Sequence, residues 1–318
     1  MNQNTVQPAA TSPPMPTRPS VLVPADMCDT HVHVFDPARF AYATTRRYTP
    51  PEATRPQLQR VMAQLGTGRV VVVQPSCYGE DNTVVMDALH TIGARRARGV
   101  VVIDAANTPA RNLHEMHRQG VRGVRLNASV DAGHDASALI RRVTAVQRAT
   151  GHLGWHVQMF ADVHTVVAMA DELANLSIPL VLDHFGGLDA AALVLTSGAV
   201  DGLLRLLRQG NTYIKLSAPY RVVGDPDSPQ LADAVRRFAD AAPERLLWAS
   251  DWPHTGGAGS RGSGAANIEA FRDENAAFAL ERLYQWIPDA AIRQRILVSN
   301  PARLYGFDPS SVDPHNEP

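Results

Sequence analysis

The chain has 318 residues, of which 45% are hydrophobic and 19% are charged. This length supports a large hydrophobic core, in one big domain or two smaller ones. The formal net charge is −1, which excludes an overall field that would attract nucleic acid or an anionic membrane. No apolar run in the sequence is long enough to cross a bilayer.

The first 23 residues are rich in proline, threonine and serine, and they lack the basic start and apolar core of a secretory signal. We expect residues 1–23 to form a flexible tail on the surface, and residues 308–318 to form a second flexible tail. The two cysteines, Cys28 and Cys77, are too few and too far apart for a disulfide framework. They predict small buried side chains in a reduced, cytoplasmic protein.

Eight short runs rich in β-branched residues recur along the chain, and stretches with helical spacing separate them. Continuous apolar strands of this kind are typical of a parallel sheet that is covered on both faces. The predicted strands lie at 28–35, 70–76, 99–104, 121–127, 154–160, 179–187, 212–221 and 245–254.

Helical patterns lie between these strands. The predicted helices are at 82–96, 109–120, 136–151, 162–176 and 289–307, and the second of them begins with proline and ends with glycine, as helices often do. Eight strands alternating with helices predict an α/β fold, a single-domain (β/α)₈ TIM barrel over residues 24–307. No G-x-G-x-x-G follows the first strand, which disfavours an open dinucleotide-binding sheet.

Polar residues are concentrated where the predicted strands end, and the active site of such a barrel lies at those ends. A lone histidine there is more often structural, but His31 and His33 in "MCDTHVHVFDP" are two apart, so both face one side of a strand. His184 and Asp251 each follow an apolar strand, where an isolated carboxylate costs free energy unless it is paired or functional. The other polar residues at strand ends are Gln74, Ser76, Tyr78, Asp104, Arg125, Asn127, Asp183, Lys215, Ser217, Arg221, Ser250 and His254.

Two further residues have structural expectations. Asp183 is expected to orient His184 or to cap the element that follows it. His156 lies early in its strand, so we expect it in a lower layer of the barrel, away from the site.

The motifs "DTHVHVFDP", "LVLDHFGG" and "LWASDWPH", in this order, resemble those of the amidohydrolase superfamily, in the amidohydrolase-2 branch. Within that branch the sequence most resembles the 2-pyrone-4,6-dicarboxylate lactonases, through "VVVQPSCYGEDN", "GVRGVRLN", "GWHVQMF" and "ILVSNPARLYGF". The resemblance covers residues 24–307 and implies a hydrolase that opens a small carboxylate-bearing lactone in aromatic compound catabolism. It also implies that no metal is required.

The same resemblance implies roles for individual residues. Asp251 is the general base that activates water, while His31, His33 and His184 surround the lactone carbonyl oxygen. The carboxylates and ring of the substrate are held by Tyr48, Ser76, Arg125, Asn127 and Arg221.

Two positions depart from the lactonase pattern. A second arginine is missing near Asp131, and Phe160 stands where the lactonases have a tyrosine. We therefore expect another residue to replace one carboxylate anchor, or the substrate to carry fewer or differently placed carboxylates.

The need for a metal depends on the ligands available. His31, His33, His184 and Asp251 would suffice for one divalent ion such as zinc with an open coordination position. A two-metal site is disfavoured, because no lysine ends the fourth predicted strand.

Two other functions compete with lactone hydrolysis. A metal-dependent decarboxylase of an aromatic or muconate-type acid would need tightly held zinc and usually a glutamate near the first strand, which "MCDTHVHVFDP" lacks. A non-catalytic barrel that binds a small carboxylate would need no general base, and Asp251 argues against it.

Overall fold

The computed structural model describes residues 12–128, 135–194, 198–256, 265 and 267–308. At its centre is one sheet of eight parallel strands, which are neighbours in space in the same order as along the chain. The strands are β1 Cys28–Val32, β2 Arg69–Val73, β3 Ala97–Val101, β4 Val121–Asn127, β5 His156–Phe160, β6 Leu180–Leu182, β7 Thr212–Leu216 and β8 Leu246–Trp248.

The sheet closes on itself where β8 meets β1. The backbone amide of His33 donates to the Trp252 carbonyl oxygen at 2.9 Å, and the amide of Asp251 donates to that of His31 at 3.1 Å. The predicted (β/α)₈ barrel is thereby confirmed. Its closing seam brings the histidine pair and Asp251 next to each other.

Helices surround the barrel, and side-chain hydrogen bonds to backbone amides at their amino termini explain where several of them begin. The Thr54 amide donates to the Gln57 side chain at 2.6 Å at the start of the first helix, and Asp135 accepts from the Ala138 amide at 3.0 Å at the start of the fourth. In the described residues the helices are α1 Arg55–Leu65, α2 Thr83–Ile92, α3 Ala110–Arg118, α4 Ala136–Thr150, α5 Val163–Ala168, α6 Ala170–Ala174, α7 Ala199–Arg208, α8 Pro229–Ala241, α9 Ala276–Trp286, α10 Ala290–Gln294 and α11 Asn300–Tyr305.

Alternate residues of each strand face opposite sides of the sheet. Outward residues such as Val70 and Val72 pack with the helices in the main apolar core. Inward residues such as Val71 and Val73 form a smaller apolar cluster together with Tyr305, which closes the barrel at the amino ends of the strands. The opposite, carboxyl end is left for polar groups.

The lower part of the barrel also contains His156. It is 1% exposed, and its ring lies 5.2 Å from that of Tyr305, measured between centroids. The prediction that His156 belongs to a lower layer is confirmed.

Part of the predicted amino-terminal tail lies against the barrel. The Trp252 indole donates to the Pro14 carbonyl oxygen at 3.1 Å, and the Ser20 amide donates to Glu281 of α9 at 2.7 Å. Specific contacts therefore hold residues 12–23, whereas residues 1–11 and 309–318 of the two predicted tails lie outside the described residues. Cys28 and Cys77 are buried and unpaired, as predicted.

None of the helices in the described part of the chain combines the length and the apolar composition that crossing a membrane requires.

Candidate active site

The paired histidines lie on β1 and just beyond its last residue. The Nε2 atoms of His31 and His33 are 3.2 Å apart, and the two rings meet edge to face with centroids separated by 4.8 Å. Both side chains are buried. The period of a strand therefore places both imidazoles on one side, as the sequence predicted.

A sharp turn after β6 brings in the third histidine. His184 and Phe185 have positive φ values of 48° and 54°, and Gly187 follows at 76°. A left-handed backbone is costly for residues that carry a side chain, and such residues are concentrated at functional sites. A Cβ on Gly187 would lie 1.9 Å from the Ala161 carbonyl oxygen, so a glycine is needed there. The turn places the His184 ring 5.2 Å from that of His31, between centroids.

Asp251, which follows β8, faces these three imidazoles. Its Oδ1 atom is 3.7 Å from Nε2 of His31 and 3.9 Å from Nε2 of both His33 and His184. Within the described part of the chain, this buried oxygen accepts no hydrogen bond. One carboxylate oxygen is thus directed at the centre that the three histidines share.

The second oxygen of Asp251, Oδ2, is held by the turn Pro219–Arg221 after β7. The Tyr220 hydroxyl donates to it at 2.8 Å, and Nε and Nη2 of Arg221 donate at 3.1 and 2.9 Å. Arg221, to which the resemblance assigns a substrate carboxylate, therefore pairs with Asp251 while also lining the pocket. The carboxylate is fixed through one oxygen and open at the other.

Burial and charge set the protonation of the site. Burial would raise the pKa of Asp251, but the Arg221 guanidinium outweighs it and holds that pKa well below its usual range. Burial lowers the pKa of His31, of His33 and of His184, the last to about 3. At neutral pH the site therefore contains an ionised carboxylate and neutral imidazoles.

Contacts at Nδ1 orient two of the histidine rings. Nδ1 of His33 is 2.8 Å from the Val73 carbonyl oxygen, and Nδ1 of His184 is 2.9 Å from Oγ of Ser217. A carbonyl oxygen can only accept, so Nδ1 of His33 carries its ring proton and Nε2 is bare.

His31 has a different environment, formed by a buried ion pair. Nδ1 of His31 is 3.2 Å from Oδ1 of Asp183 and 3.2 Å from Nζ of Lys215. Burial would raise the pKa of Asp183, but the Lys215 ammonium group holds it well below its usual range, and burial lowers the pKa of Lys215 to about 8. Asp183 therefore contacts His31, rather than orienting His184.

A pocket opens above this cluster. Nη1 of Arg125 donates to the Gln74 carbonyl oxygen at 3.0 Å, while its buried Nε and the Oδ1 of Asn127 have no hydrogen-bond partner among the described residues. Phe160 packs edge-on against His184 with centroids 5.0 Å apart. Every residue to which the resemblance assigns a catalytic or substrate-binding role lies in this pocket or, in the case of His31, in the cluster below it. The pocket lining comprises His33, Tyr48, Ser76, Arg125, Asn127, Phe160, His184, Arg221, Asp251 and Thr255.

Other polar residues at strand ends lie outside this pocket. Asp104 accepts hydrogen bonds from Asn107 within its own turn, and the Tyr78 hydroxyl accepts one from the Asp36 amide. Lys215 lies below the pocket, inside the barrel. The position near Asp131, where an arginine is missing, lies outside the described residues.

Two residues of the site were not predicted from the sequence. Tyr220, which binds Asp251, is indicated in the sequence only by its place directly before Arg221 in "SAPYR". Thr255 lines the pocket, and its carbonyl oxygen lies 3.3 Å from Nη2 of Arg221. Neither residue type at these positions predicts a function by itself.

The donor atoms fit one metal ion. Those of His31, His33 and Asp251 lie within 4.8 Å of one another, as do those of His31, Asp183 and His184. The bare Nε2 of His33 and the Oδ1 of Asp251 are atoms of the kind that ligate zinc. His31, His33 and Asp251 could therefore hold a single divalent ion, and Nε2 of His184 lies 3.9 Å from Oδ1 of Asp251 beside them.

A (β/α)₈ barrel that carries three histidines and an aspartate at the carboxyl ends of its strands has the architecture of an amidohydrolase. The family model described as amidohydrolase matches residues 28–307, and the chain belongs to this family.

Similar proteins act on lactones. The chain is 32% identical over 291 residues to a 4-sulfomuconolactone hydrolase of Hydrogenophaga intermedia, covering 90% of each chain. It is 31% identical over 300 residues to a 2-pyrone-4,6-dicarboxylate hydrolase of Comamonas testosteroni, covering 91% of this chain and 93% of the relative. A crystal structure from Pseudomonas putida, described as that of a candidate 2-pyrone-4,6-dicarboxylic acid hydrolase, is 31% identical with a TM-score of 0.70, over 90% of this chain and 99% of that one.

Proposed function

We propose that this protein is a hydrolase that opens a carboxylate-bearing lactone, of the 2-pyrone-4,6-dicarboxylate or muconolactone kind. The observation that carries the proposal is Oδ1 of Asp251, which accepts no hydrogen bond from any described residue and faces three histidine Nε2 atoms beside a pocket lined by Arg125. Relatives named as hydrolases of anionic lactones support it.

Opening a lactone needs a nucleophile, a base and a group that stabilises the oxyanion. Oδ1 of Asp251 accepts a proton from water while the water oxygen bonds to the lactone carbonyl carbon. The bond from that carbon to the ring oxygen then breaks, and the proton passes from Asp251 to the departing ring oxygen. The product is one open chain with a new carboxyl and a new hydroxyl group, and no oxidant or reductant is consumed.

The histidines polarise the carbonyl. A well-placed N–H donor to an oxyanion contributes on the order of 3 kcal/mol to the transition state. Because the bond to Val73 leaves Nε2 of His33 without a proton, donation falls to His31 and His184. His33 takes the supporting role of accepting from His31 before the substrate arrives.

A divalent ion held by His31, His33, His184 and Asp251 would act as a Lewis acid on the same carbonyl oxygen. Lactone hydrolysis in this proposal does not require such an ion, because the base and the N–H donors belong to the chain itself.

Arg125 and its neighbours hold the substrate anion. A guanidinium binds a carboxylate through two parallel hydrogen bonds, and Arg125 has a buried Nε with no acceptor in the described part of the chain. Asn127, Ser76 and Tyr48 complete the binding surface. Arg221 can bind either Asp251 or the substrate anion. An incoming anion that competes for the guanidinium leaves the Asp251 carboxylate a stronger base.

The proposed setting is the cytoplasm, in the catabolism of aromatic compounds. The two buried, unpaired cysteines support a reducing compartment. The net charge of −1 supports a small-molecule partner rather than nucleic acid or a membrane surface.

A ring-opening assay followed by absorbance tests the proposal. The substrates are 2-pyrone-4,6-dicarboxylate, muconolactone-type lactones and the methyl esters of both, with and without chelator. We expect turnover of the anionic lactones that persists in chelator, with a higher KM for the neutral esters. No turnover of any lactone, together with tightly held zinc and release of carbon dioxide from aromatic or muconate-type acids, would show a decarboxylase instead.

A further inference from the structure

Lys215 is the single lysine among the 318 residues, and it is fully buried inside the barrel on β7. An ammonium ion loses its hydration on burial and needs acceptors in return. None of the reaction steps described above uses this group.

The ammonium group has three N–H donors, and three possible acceptor atoms of the described residues lie within its reach. Nζ of Lys215 is 2.7 Å from Oε1 of Gln158, 3.2 Å from Nδ1 of His31 and 3.3 Å from Oδ1 of Asp183. The Gln158 amide donates to the other Asp183 oxygen at 3.0 Å, which agrees with its carbonyl oxygen facing Lys215. All three ammonium protons find an acceptor only if Nδ1 of His31 carries none.

The other nitrogen of His31 leads to the same result by a separate route. Its Nε2 is 3.2 Å from Nε2 of His33, which is bare because Nδ1 of His33 donates to Val73. A hydrogen bond between two nitrogens needs one proton, and here only His31 can supply it. With Nδ1 bare, as the contacts of Lys215 require, the ring proton of His31 is on Nε2.

We propose that Lys215 is a positioning residue that holds His31 as the Nε2–H tautomer. This inference rests on the carbonyl-polarising role proposed for His31, because it explains how His31 keeps a donor on the pocket side. The competing tautomer, in which Nδ1–H donates to Asp183 at 3.2 Å, leaves Nε2 bare as a metal ligand requires. Lys215 therefore also disfavours a metal ion at His31.

Histidine tautomers can be measured without substrate. Protein labelled with ¹⁵N-histidine and treated with chelator is studied by long-range ¹H–¹⁵N NMR, with the His31 signals assigned by His31→Gln. We expect Nδ1 of His31 at the shift of a bare nitrogen and Nε2 at that of a protonated one. In Lys215→Met we expect the proton on Nδ1 and the bare nitrogen at Nε2, which is the opposite tautomer. In Lys215→Arg, which keeps the charge, we expect the tautomer of the wild type.

Two outcomes of this experiment overturn the inference. One is a protonated Nδ1 on His31 in the wild type, which decides the question even where Lys215→Met does not fold. The other is an unchanged tautomer in folded Lys215→Met. Because no substrate is present, neither outcome depends on whether the protein hydrolyses lactones.

Zinc affinity, measured by competition with a chelating dye, is a second readout. Lys215→Met is expected to bind zinc about tenfold more tightly than the wild type, since groups that hydrogen-bond to a metal ligand change metal affinity by roughly 10- to 100-fold. Gln158→Met is the matched control, because it removes a neutral neighbour of Lys215. Equal or weaker zinc binding by Lys215→Met, or an equal gain in Gln158→Met, contradicts the role of the ammonium group.

The single lysine allows a direct probe. Protein labelled at the lysine Nζ with ¹⁵N gives one side-chain signal, that of Lys215. This signal is expected to shift when zinc binds the wild type, because Nδ1 of His31 then ceases to be an acceptor. A signal that stays in place while zinc binds overturns the inference.

Discussion

The two oxygens of Asp251 have opposite surroundings. Oδ2 accepts from Tyr220 and from two nitrogens of Arg221, whereas Oδ1 is buried and faces the histidines. A carboxylate tied through one oxygen has a fixed orientation, so its other oxygen meets the reacting water in one geometry. The chemistry proposed for this residue depends on that asymmetry.

Replacing this base should remove activity without unfolding the protein. We expect Asp251→Asn to lower kcat for lactone hydrolysis by roughly 10²- to 10⁴-fold, because an amide oxygen accepts a proton poorly. Asp104→Asn is the control, since the Asp104 carboxylate bonds within its own turn. Steady-state kinetics and thermal unfolding check both variants, and a kcat for Asp251→Asn within tenfold of wild type contradicts the assignment.

Arg125 should act on binding more than on chemistry. Arg125→Met removes a charged donor to the substrate anion, which corresponds to about 1.5–3 kcal/mol and so to a KM raised by roughly 10- to 100-fold. The KM for the neutral methyl ester should change little. An equal rise in KM for the ester would show that Arg125 supports the fold of the pocket rather than the anion.

The turn after β6 directs two adjacent side chains to different tasks. In an extended strand, neighbours point to opposite faces, yet Asp183 contacts His31 below the pocket and His184 lines the pocket itself. The positive φ of 48° at His184 bends the chain so that both side chains face inward. This is why Asp183 pairs with a histidine of β1 and not with its own neighbour.

The same turn should be sensitive to one methyl group. We expect Gly187→Ala to lower the free energy of unfolding by about 3 kcal/mol, because the alanine would adopt a left-handed backbone conformation and its Cβ would clash with Ala161. Activity should also fall, because the turn that positions His184 would shift. Gly198→Ala is the matched control for Gly187→Ala, because Gly198 also has a positive φ but has open space where the Cβ would lie. It should lose only about 1 kcal/mol. Similar losses in urea denaturation of the two variants would contradict the proposed clash with Ala161.

Across the whole molecule, buried neutral histidines link stability to pH. Burial lowers the pKa of His156 to about 3 and that of His254 to about 4. Since these values lie below those of an unfolded chain, the unfolded state takes up protons first as the pH falls. Their stabilising contribution is complete above about pH 6.5 and is lost progressively below it.

His156 isolates this effect, because it lies below the active site. Between pH 7 and pH 5 one such histidine accounts for about 2 kcal/mol of lost stability. His156→Leu should therefore lose about 2 kcal/mol less than the wild type over this interval in urea denaturation. His164→Leu, at an exposed position, should follow the wild type. Equal losses in wild type and His156→Leu would show that His156 does not contribute.

The sequence by itself determined the barrel and the location of its candidate site. Apolar runs alternating with helical patterns specify the strands, and the period of two in "HVH" specifies that His31 and His33 face one side, because both signals are local. His184 and Asp251 could be placed with them since parallel strands in a barrel end at one rim.

Only the tertiary structure decided which groups pair within that site. The Arg221–Asp251 pair and the Lys215 contact with His31 join residues that are 30 and 184 positions apart in the chain. The register of the barrel and the left-handed turns at its rim bring them together. Such long-range pairing leaves no periodic trace in the sequence, so Tyr220, and the position of Lys215 beneath His31, became visible only in the folded chain.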